Sequence, residues 1–272
     1  MSSILDTIKA AAQKSRRHVV LAEGEDPRIL DGGARAQVDG LASITFLGDE
    51  PKVSAALSNA GYSSADFKII DPSTANVSAY AVLYYDLRKH KGLSEADAAD
   101  AIRNPLNYAA MMVRNGDADG TVAGAVATTA DTVRAAFQVI GKAEGARAVS
   151  SVFLMICEED HFQKKGTYLF GDCALMVDPS AAELADIAIS SAKSCRQFLG
   201  EEPRVAMLSF STSGSARHER VDKVKEAVSI VRKAAPDLII SDDMQFDSAF
   251  VPSVAASKAK DSAIQGLSLI HI

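Results

Sequence analysis

Hydroxyl side chains and one cation are concentrated in residues 124 to 137, GAVATTADTVRAAF. The polar members are Thr128, Thr129, Asp131, Thr132 and Arg134. The residues before them are typical of a strand end and those after them of a helix, whose start offers unpaired N–H groups and the positive end of a dipole. Thr128, Thr129 or Asp131 could cap this helix, with Arg134 about one turn in. The pattern predicts either an ordinary capped helix with a solvent-facing arginine or one wall of an anion site.

A second concentration of hydroxyl groups lies in residues 209 to 220, SFSTSGSARHER. Five serine and threonine hydroxyls fall between Ser209 and Ser215, after a predicted buried strand and before a predicted helix. Small residues with one glycine let backbone N–H groups approach a phosphate. Ordinary turns use the same residue types, but capping alone does not need this many. The expected phosphate-binding residues of this loop are Ser211, Thr212, Ser213, Gly214 and Ser215.

Two further polar stretches have the composition of a site, and each has an ordinary structural interpretation. AEGEDPR, residues 22 to 28, places carboxylates after a predicted strand, where they equally fit helix caps. YYDLRKHKG, residues 84 to 92, places Arg88 and other cations at a helix C-terminus, where cations complement the dipole.

Several cofactor chemistries lack their sequence signatures. There is no G-x-x-x-x-G-K-[ST] motif and no G-x-G-x-x-G after the first strand, so ATP and NAD are unsupported. The three cysteines form no C-x-x-C or Cys/His cluster, so we expect no metal site and no tightly bound cofactor. Cys173 could be drawn as an acyl carrier, but a small thiol at a strand end favours a core position.

The elements that would position these residues alternate between strands and helices. HVVLA, SITFLG and FKIID are predicted strands, each followed by a helix, and this rhythm predicts a mostly parallel sheet with helices on both faces. A break at GKAEGARA, residues 141 to 148, suggests two α/β domains, 1–145 and 146–266, meeting in a cleft. In the second domain we predict a long helix over 178–200 that Asp178 caps.

Length and charge limit the class of protein. The chain has 272 residues, is 47% hydrophobic and carries a net charge of −6, which is typical of a globular protein and argues against a general affinity for nucleic acid. No apolar run approaches the roughly 18 residues that span a bilayer. The first residues lack the apolar core of a signal peptide, so we expect a cytoplasmic protein with no membrane partner.

Taken together, six stretches resemble the phosphate acetyltransferase family, in family order and over nearly the whole chain. They are VVLAEGEDPRIL, YYDLRKHKGLS, ADGTVAGAVATTADTVRAAFQVI, TYLFGDCALMVDPSAAELADIA, VAMLSFSTSGSA and DMQFDSAFVPSVAASKA. The resemblance implies reversible transfer of acetyl between coenzyme A and inorganic phosphate, with coenzyme A as a substrate. It also implies two α/β domains like those of isocitrate and isopropylmalate dehydrogenases, and a homodimer when full length.

The same resemblance implies roles for particular residues. Arg134 matches the family's phosphate-binding arginine in a DT-x-R pattern, and Arg88 matches the one in an LRKHKG pattern. A guanidinium binds phosphate bidentately and stabilises charge that grows in the transition state. Two alternatives stay open: a phosphate butyryltransferase, and a non-catalytic acyl-CoA-binding domain like those fused behind malic enzymes.

The last six residues, LSLIHI, interrupt the family resemblance after Gly266. They are what the DNA sequence CTGTCTCTTATACACATC encodes, which resembles a transposon-end adapter used in preparing sequencing libraries. We therefore expect residues 267–272 to be a non-native tail and the second domain to be incomplete. The family's Ser-Arg pair and Asp, which follow this point, then cannot be assigned, and the chain as written is expected to be inactive and to aggregate.

Overall fold

The computed structural model describes residues 3–147, 149–157, 166–212, 214–259, 264 and 269–271. The chain divides into two units, each continuous in sequence: unit 1 is Met1–Gly141 and unit 2 is Lys142–Ile272. Strands and helices alternate in both, so the predicted α/β class is confirmed. None of the helices in the described parts combines the length and the apolar character needed to cross a membrane.

Unit 1 is built on a four-stranded parallel sheet with the order β3-β2-β1-β4. Its elements in chain order are α1 Ile4–Lys14, β1 Arg17–Leu21, α2 Pro27–Val38, β2 Ala42–Leu47, α3 Glu50–Asn59, β3 Lys68–Ile70, α4 Ser78–Arg88, α5 Glu95–Ile102, α6 Pro105–Asn115, β4 Gly120–Val122 and α7 Thr129–Val139. In the register of the sheet, Val20 of β1 lies between Thr45 of β2 and Thr121 of β4.

Apolar residues pack on both faces of this sheet. One cluster includes Phe46, Val53 and Leu57, and the other includes Met111 and Met112, all of them fully or almost fully buried. Helix α2 lies so close to the sheet that a Cβ on its Gly33 would stand 2.3 Å from Leu21 Cδ1. The absence of a side chain at Gly33 therefore lets the middle of α2 approach Leu21 at the end of β1 closely.

Unit 2 is built on a mixed sheet with the order β5-β6-β9-β7-β8. Its elements are β5 Val152–Cys157, β6 Gly166–Gly171, α8 Ala181–Leu199, β7 Arg204–Leu208, α9 Glu219–Ala234, β8 Ile239–Met244, α10 Phe246–Phe250, α11 Pro252–Lys258 and β9 Leu269–His271. β5 and β6 pair antiparallel, and the other strand pairs are parallel. Helices α8 and α9 cover one side with a cluster that includes Ala185, Val228 and Val231.

The start of α8 differs from the sequence prediction. Asp178 was predicted to cap this helix, but Ser180 is its N-cap, and Asp178 instead pairs with Lys223 at 2.5 Å. Ser180 and Glu183 form a capping box, in which each side chain accepts a hydrogen bond from the other residue's backbone N–H. Two unpaired donors are satisfied in this way, whereas a cap at Asp178 lacks the partner three residues on.

Strand β9 lies within the stretch that was predicted to be a non-native tail. It pairs with β6 on one side and β7 on the other. These are backbone pairings, which form irrespective of the origin of the residues, so the tail assignment remains a prediction that the underlying codons test. The likeness to isocitrate and isopropylmalate dehydrogenases also remains a prediction.

Candidate active site

The strand order of unit 1 creates a point at which two chain segments diverge. The chain leaves β1 toward β2 on one side of the sheet, whereas β4 lies on the other side of β1. Ligands of open α/β sheets bind beyond the carboxyl ends of the strands at such a point. The segments that follow β1 and β4 are residues 22 to 26 and 123 to 128, which overlap the polar stretches 22 to 28 and 124 to 137 of the sequence analysis. Beside them lies a cleft of about 340 Å³ that also reaches Asn104 at the start of α6.

The start of α7 has a defined cap. Of the three candidates, Thr128 is the N-cap, and its hydroxyl oxygen accepts a hydrogen bond from Asp131 N at 3.1 Å. The same hydroxyl donates to Asp131 Oδ2 at 2.7 Å. Thr132 Oγ1 donates to the Thr128 carbonyl at 3.1 Å, and Thr129 is the exposed first residue of the helix. The predicted hydroxyl residues therefore lie together at the N-cap and in the first turn of α7.

Arg134 is joined to this turn through Asp131. Arg134 NH1 donates to Asp131 Oδ1 at 2.6 Å, and 59% of the Arg134 side chain is exposed. A guanidinium carries five N–H donors, so this bond orients the group and leaves donors for a phosphate. Hydrogen bonds from Thr128 and then from Arg134 hold the pKa of Asp131 below its usual range. Asp131 bridges a hydroxyl and an arginine, an arrangement that suits orienting Arg134 better than direct contact with an anion.

Arg88 is the last residue of α4 and is half-buried. The Tyr84 hydroxyl, one turn earlier in α4, donates to Gln138 Oε1 of α7 at 3.3 Å. Arg88 follows Tyr84 by four residues and Arg134 precedes Gln138 by four. A single side-chain hydrogen bond therefore joins the two helices that carry the predicted arginines, about one turn from each arginine.

The carboxylate of Glu23 is a partner that sequence reasoning did not assign. It accepts hydrogen bonds from four successive backbone N–H groups, at 2.8, 2.7, 3.1 and 2.6 Å. These belong to Gly124, Ala125, Val126 and Ala127, the residues between β4 and the cap of α7. The sequence shows a carboxylate directly after one predicted strand and a run of small residues after another. Nothing in the sequence indicates that these two segments are in contact.

In unit 2, the serine-rich loop is the segment of residues 209 to 215 that follows β7, and several of its polar side chains are buried. Ser211 and Thr212 are buried, and their side chains bond within the loop and to neighbouring elements. Ser215 is exposed, and its hydroxyl oxygen accepts from Thr212 N at 3.1 Å. Gly214 is also exposed, with a φ of +79° that glycine adopts readily, and Ser213 lies outside the described residues. Gly214 and Ser215 are thus the predicted loop residues that face solvent.

A buried carboxylate supports the same loop. Asp243 is 1% exposed, and its Oδ2 accepts a hydrogen bond from Gly214 N at 3.3 Å. Its Oδ1 has no hydrogen-bond partner among the described residues, and Lys225 Nζ lies 3.9 Å away. Lys225 therefore supplies a positive charge beneath the loop, which the loop's own sequence does not reveal.

The thiol chemistry considered from the sequence has little support. Burial, and then the charge of Asp172, raise the pKa of the Cys173 thiol, which lowers the fraction of nucleophilic thiolate. Within the described parts of the chain, no three His, Cys, Asp or Glu side chains are grouped to hold a metal ion.

Comparisons with known proteins agree with one another. A family model described as "Phosphate acetyl/butaryl transferase" matches residues 3–272. The curated phosphate acetyltransferase of Paracoccus denitrificans is 45% identical over 263 residues, which cover 96% of this chain and 79% of that protein.

Solved structures give the same result. A phosphotransacetylase from Streptococcus pyogenes superposes with a TM-score of 0.90 at 36% identity, covering 100% of this chain and 82% of the other. A branched-chain phosphotransacylase from Enterococcus faecalis superposes with a TM-score of 0.61 at 16% identity, covering 94% of this chain and 78% of the other, which is a likeness of fold alone.

Proposed function

The chain belongs to the phosphate acetyl/butaryl transferase family, and on that premise we propose that it catalyses acetyl-CoA + phosphate ⇌ coenzyme A + acetyl phosphate. The observation that carries the proposal is the 45% identity to a phosphate acetyltransferase across 96% of the chain. The family resemblance predicted from the sequence motifs is confirmed by the same match.

In this reaction a phosphate oxygen attacks the thioester carbonyl carbon, the C–S bond breaks and the sulfur takes up a proton. Arg134 and Arg88 are assigned to phosphate, whose negative charge two guanidinium groups offset. Asp131 and Thr128 orient Arg134 through the bonds at the start of α7. Direct attack needs no acylated side chain, which agrees with the raised pKa of the Cys173 thiol.

The serine-rich loop of unit 2 is assigned to coenzyme A or phosphate. Gly214 and Ser215 are its solvent-facing members, and Lys225 provides a cation nearby. Hydrogen exchange tests this assignment: coenzyme A should slow exchange at Gly214 and Ser215 more than at the buried Ser211 and Thr212. Protection of other segments with none in this loop would make it a structural connection only.

Three finer features belong to the proposal. The full-length protein would be a homodimer, which light scattering after size-exclusion chromatography measures. It would act in the cytoplasm, where coenzyme A thioesters are available. It would need no tightly bound cofactor, so turnover should survive dialysis against a chelator.

Turnover separates the alternatives for the whole chain. Protein purified with a native C-terminal sequence in place of residues 267–272 should release coenzyme A and form acetyl phosphate from acetyl-CoA and phosphate, whereas the 272-residue chain as written is expected to show no turnover. Butyryl-CoA should be the poorer substrate when the two thioesters compete. Preference for butyryl-CoA would support a phosphate butyryltransferase. Tight binding of acyl-CoA without turnover would support a non-catalytic binding domain.

A further inference from the structure

The four N–H groups around Glu23 form an anion cradle. Successive backbone N–H groups that converge on one point bind phosphates and other anions in many proteins. Here the cradle is formed by residues 124 to 127, and both carboxylate oxygens of Glu23 occupy it with two bonds each. A side chain of the same chain thus stands where a free anion could bind.

The charge of Glu23 suits this position. Burial disfavours the ionised carboxylate, but the bonds from Ala127, Ala125, Val126 and Gly124 together outweigh it and hold the pKa of Glu23 below its usual range. Glu23 is therefore ionised at neutral pH and makes four charge-assisted hydrogen bonds, which are stronger than bonds between neutral groups.

The same loop is held from a second direction. Arg28 NH2 donates to the Ala125 carbonyl at 2.6 Å, and Asp26 fixes the Arg28 guanidinium with bonds at 3.0 and 2.8 Å. By contrast, apolar packing gives the loop little support, because Val126 is 71% exposed. Polar contacts from residues 23 to 28 therefore set the conformation of the loop.

The loop ends at Thr128, the cap of α7, six residues before Arg134. We propose that Glu23 is a positioning residue: by filling the anion cradle it fixes the start of α7, and its removal leaves a vacant site for a small carboxylate. Its effect on phosphate use rests on the function proposed above, whereas the cradle itself does not.

Glu23→Ala tests the cradle without any assay of turnover. Amide exchange at residues 124 to 127 should accelerate at least about tenfold, because the bonds that protect these amides are lost. Formate should restore protection by entering the cradle, and sodium chloride at equal ionic strength should not. Glu50→Ala is the matched control, since Glu50 is an exposed carboxylate in the first turn of α3, and its exchange should not respond to formate.

Steady-state kinetics test the positioning role in protein that carries a native C-terminal sequence in place of residues 267–272, because the chain as written is expected to be inactive. In Glu23→Ala the KM for phosphate should rise at least about tenfold while kcat changes less, and formate should lower that KM again. Formate should not lower it in the wild type or in Glu50→Ala, where the cradle is filled. A side chain that only packed against the loop would show no recovery with formate.

Two results would overturn the inference: unchanged exchange at residues 124 to 127 in Glu23→Ala, or accelerated exchange that formate does not reverse. If Glu23→Ala does not fold, Glu23→Gln replaces it, because an amide still fills the cradle but aims an NH₂ group at donors. Its exchange should accelerate without a response to formate, and unchanged exchange would again refute the cradle. If the proposed function alone is wrong, protein with a native C-terminal sequence shows no turnover, whereas Glu23→Ala still shows formate-dependent protection of residues 124 to 127.

Discussion

At the scale of single residues, Arg134 is oriented by Asp131 while most of its side chain faces solvent. In protein that carries a native C-terminal sequence in place of residues 267–272, Arg134→Gln should lower turnover by at least about 100-fold, the typical loss when one preorganised charge donor is removed. The fold should be retained, because the side chain is exposed. The comparison is Arg35→Gln, which removes another exposed arginine with an aspartate partner, Asp31, in the same unit. Near-normal turnover in Arg134→Gln would contradict a role in phosphate binding and leave Arg134 as a solvent-facing residue of α7.

The lowered pKa of Glu23 should make the stability of the fold depend on pH. Its pKa in the folded state lies below the usual value of 4.5, so its ionisation stabilises the folded state above that pH. This contribution is lost as the pH falls through the lowered pKa. Urea unfolding of the wild type and of Glu23→Gln, followed from pH 7 to about pH 3, should therefore give a difference in unfolding free energy that shrinks on acidification. A difference that stays constant or grows would contradict the charge-assisted cradle.

At the scale of elements, helix starts were the most predictable features because their signals are local. Asp26 with Pro27 begins α2 in the manner that the stretch AEGEDPR indicates. Asp178 failed as a cap because Ser180, two residues later, has a glutamate at the position that completes a capping box. Two nearby candidates compete for a helix start, and the one with more satisfied backbone donors is used.

The contacts of the candidate site were less predictable because they join distant residues. Glu23 and Gly124 are 101 positions apart, and no periodicity along the chain connects them. The hydroxyls of the loop after β7 were found by composition, but composition does not say that Ser211 and Thr212 point inward. Sequence patterns indicate which residue types are available, and the sheet order decides which of them meet.

The cap of α8 gives a test at this scale. Ser180→Ala should lower the unfolding free energy of unit 2 by about 1 kcal/mol, because one backbone N–H loses its partner. Asp178→Ala should cost less, since its exposed ion pair with Lys223 is screened by solvent. Chemical denaturation with a probe in unit 2 measures both variants. A larger loss of unfolding free energy in Asp178→Ala than in Ser180→Ala would indicate that Asp178 caps α8, as the sequence predicts.

At the scale of the whole molecule, unit 1 is expected to be stable by itself. Its four strands and both apolar clusters lie within one continuous segment of the chain. A fragment of residues 1–141 should therefore unfold cooperatively in urea and retain the circular dichroism of a mixed α/β protein. A gradual loss of signal without a transition would show that residues beyond 141 complete its core.

The continuity of unit 1 also has a consequence for how the protein is made. A ribosome adds residues at about 5–20 per second, so the residues of unit 2, Lys142–Ile272, take roughly 7–26 s to synthesise. Small mixed α/β domains fold in about a second or less. Unit 1 can therefore reach its native form while unit 2 is still emerging from the exit tunnel. The nascent chain would then carry a finished anion cradle, with Glu23 already seated in it, before the serine-rich loop has been translated.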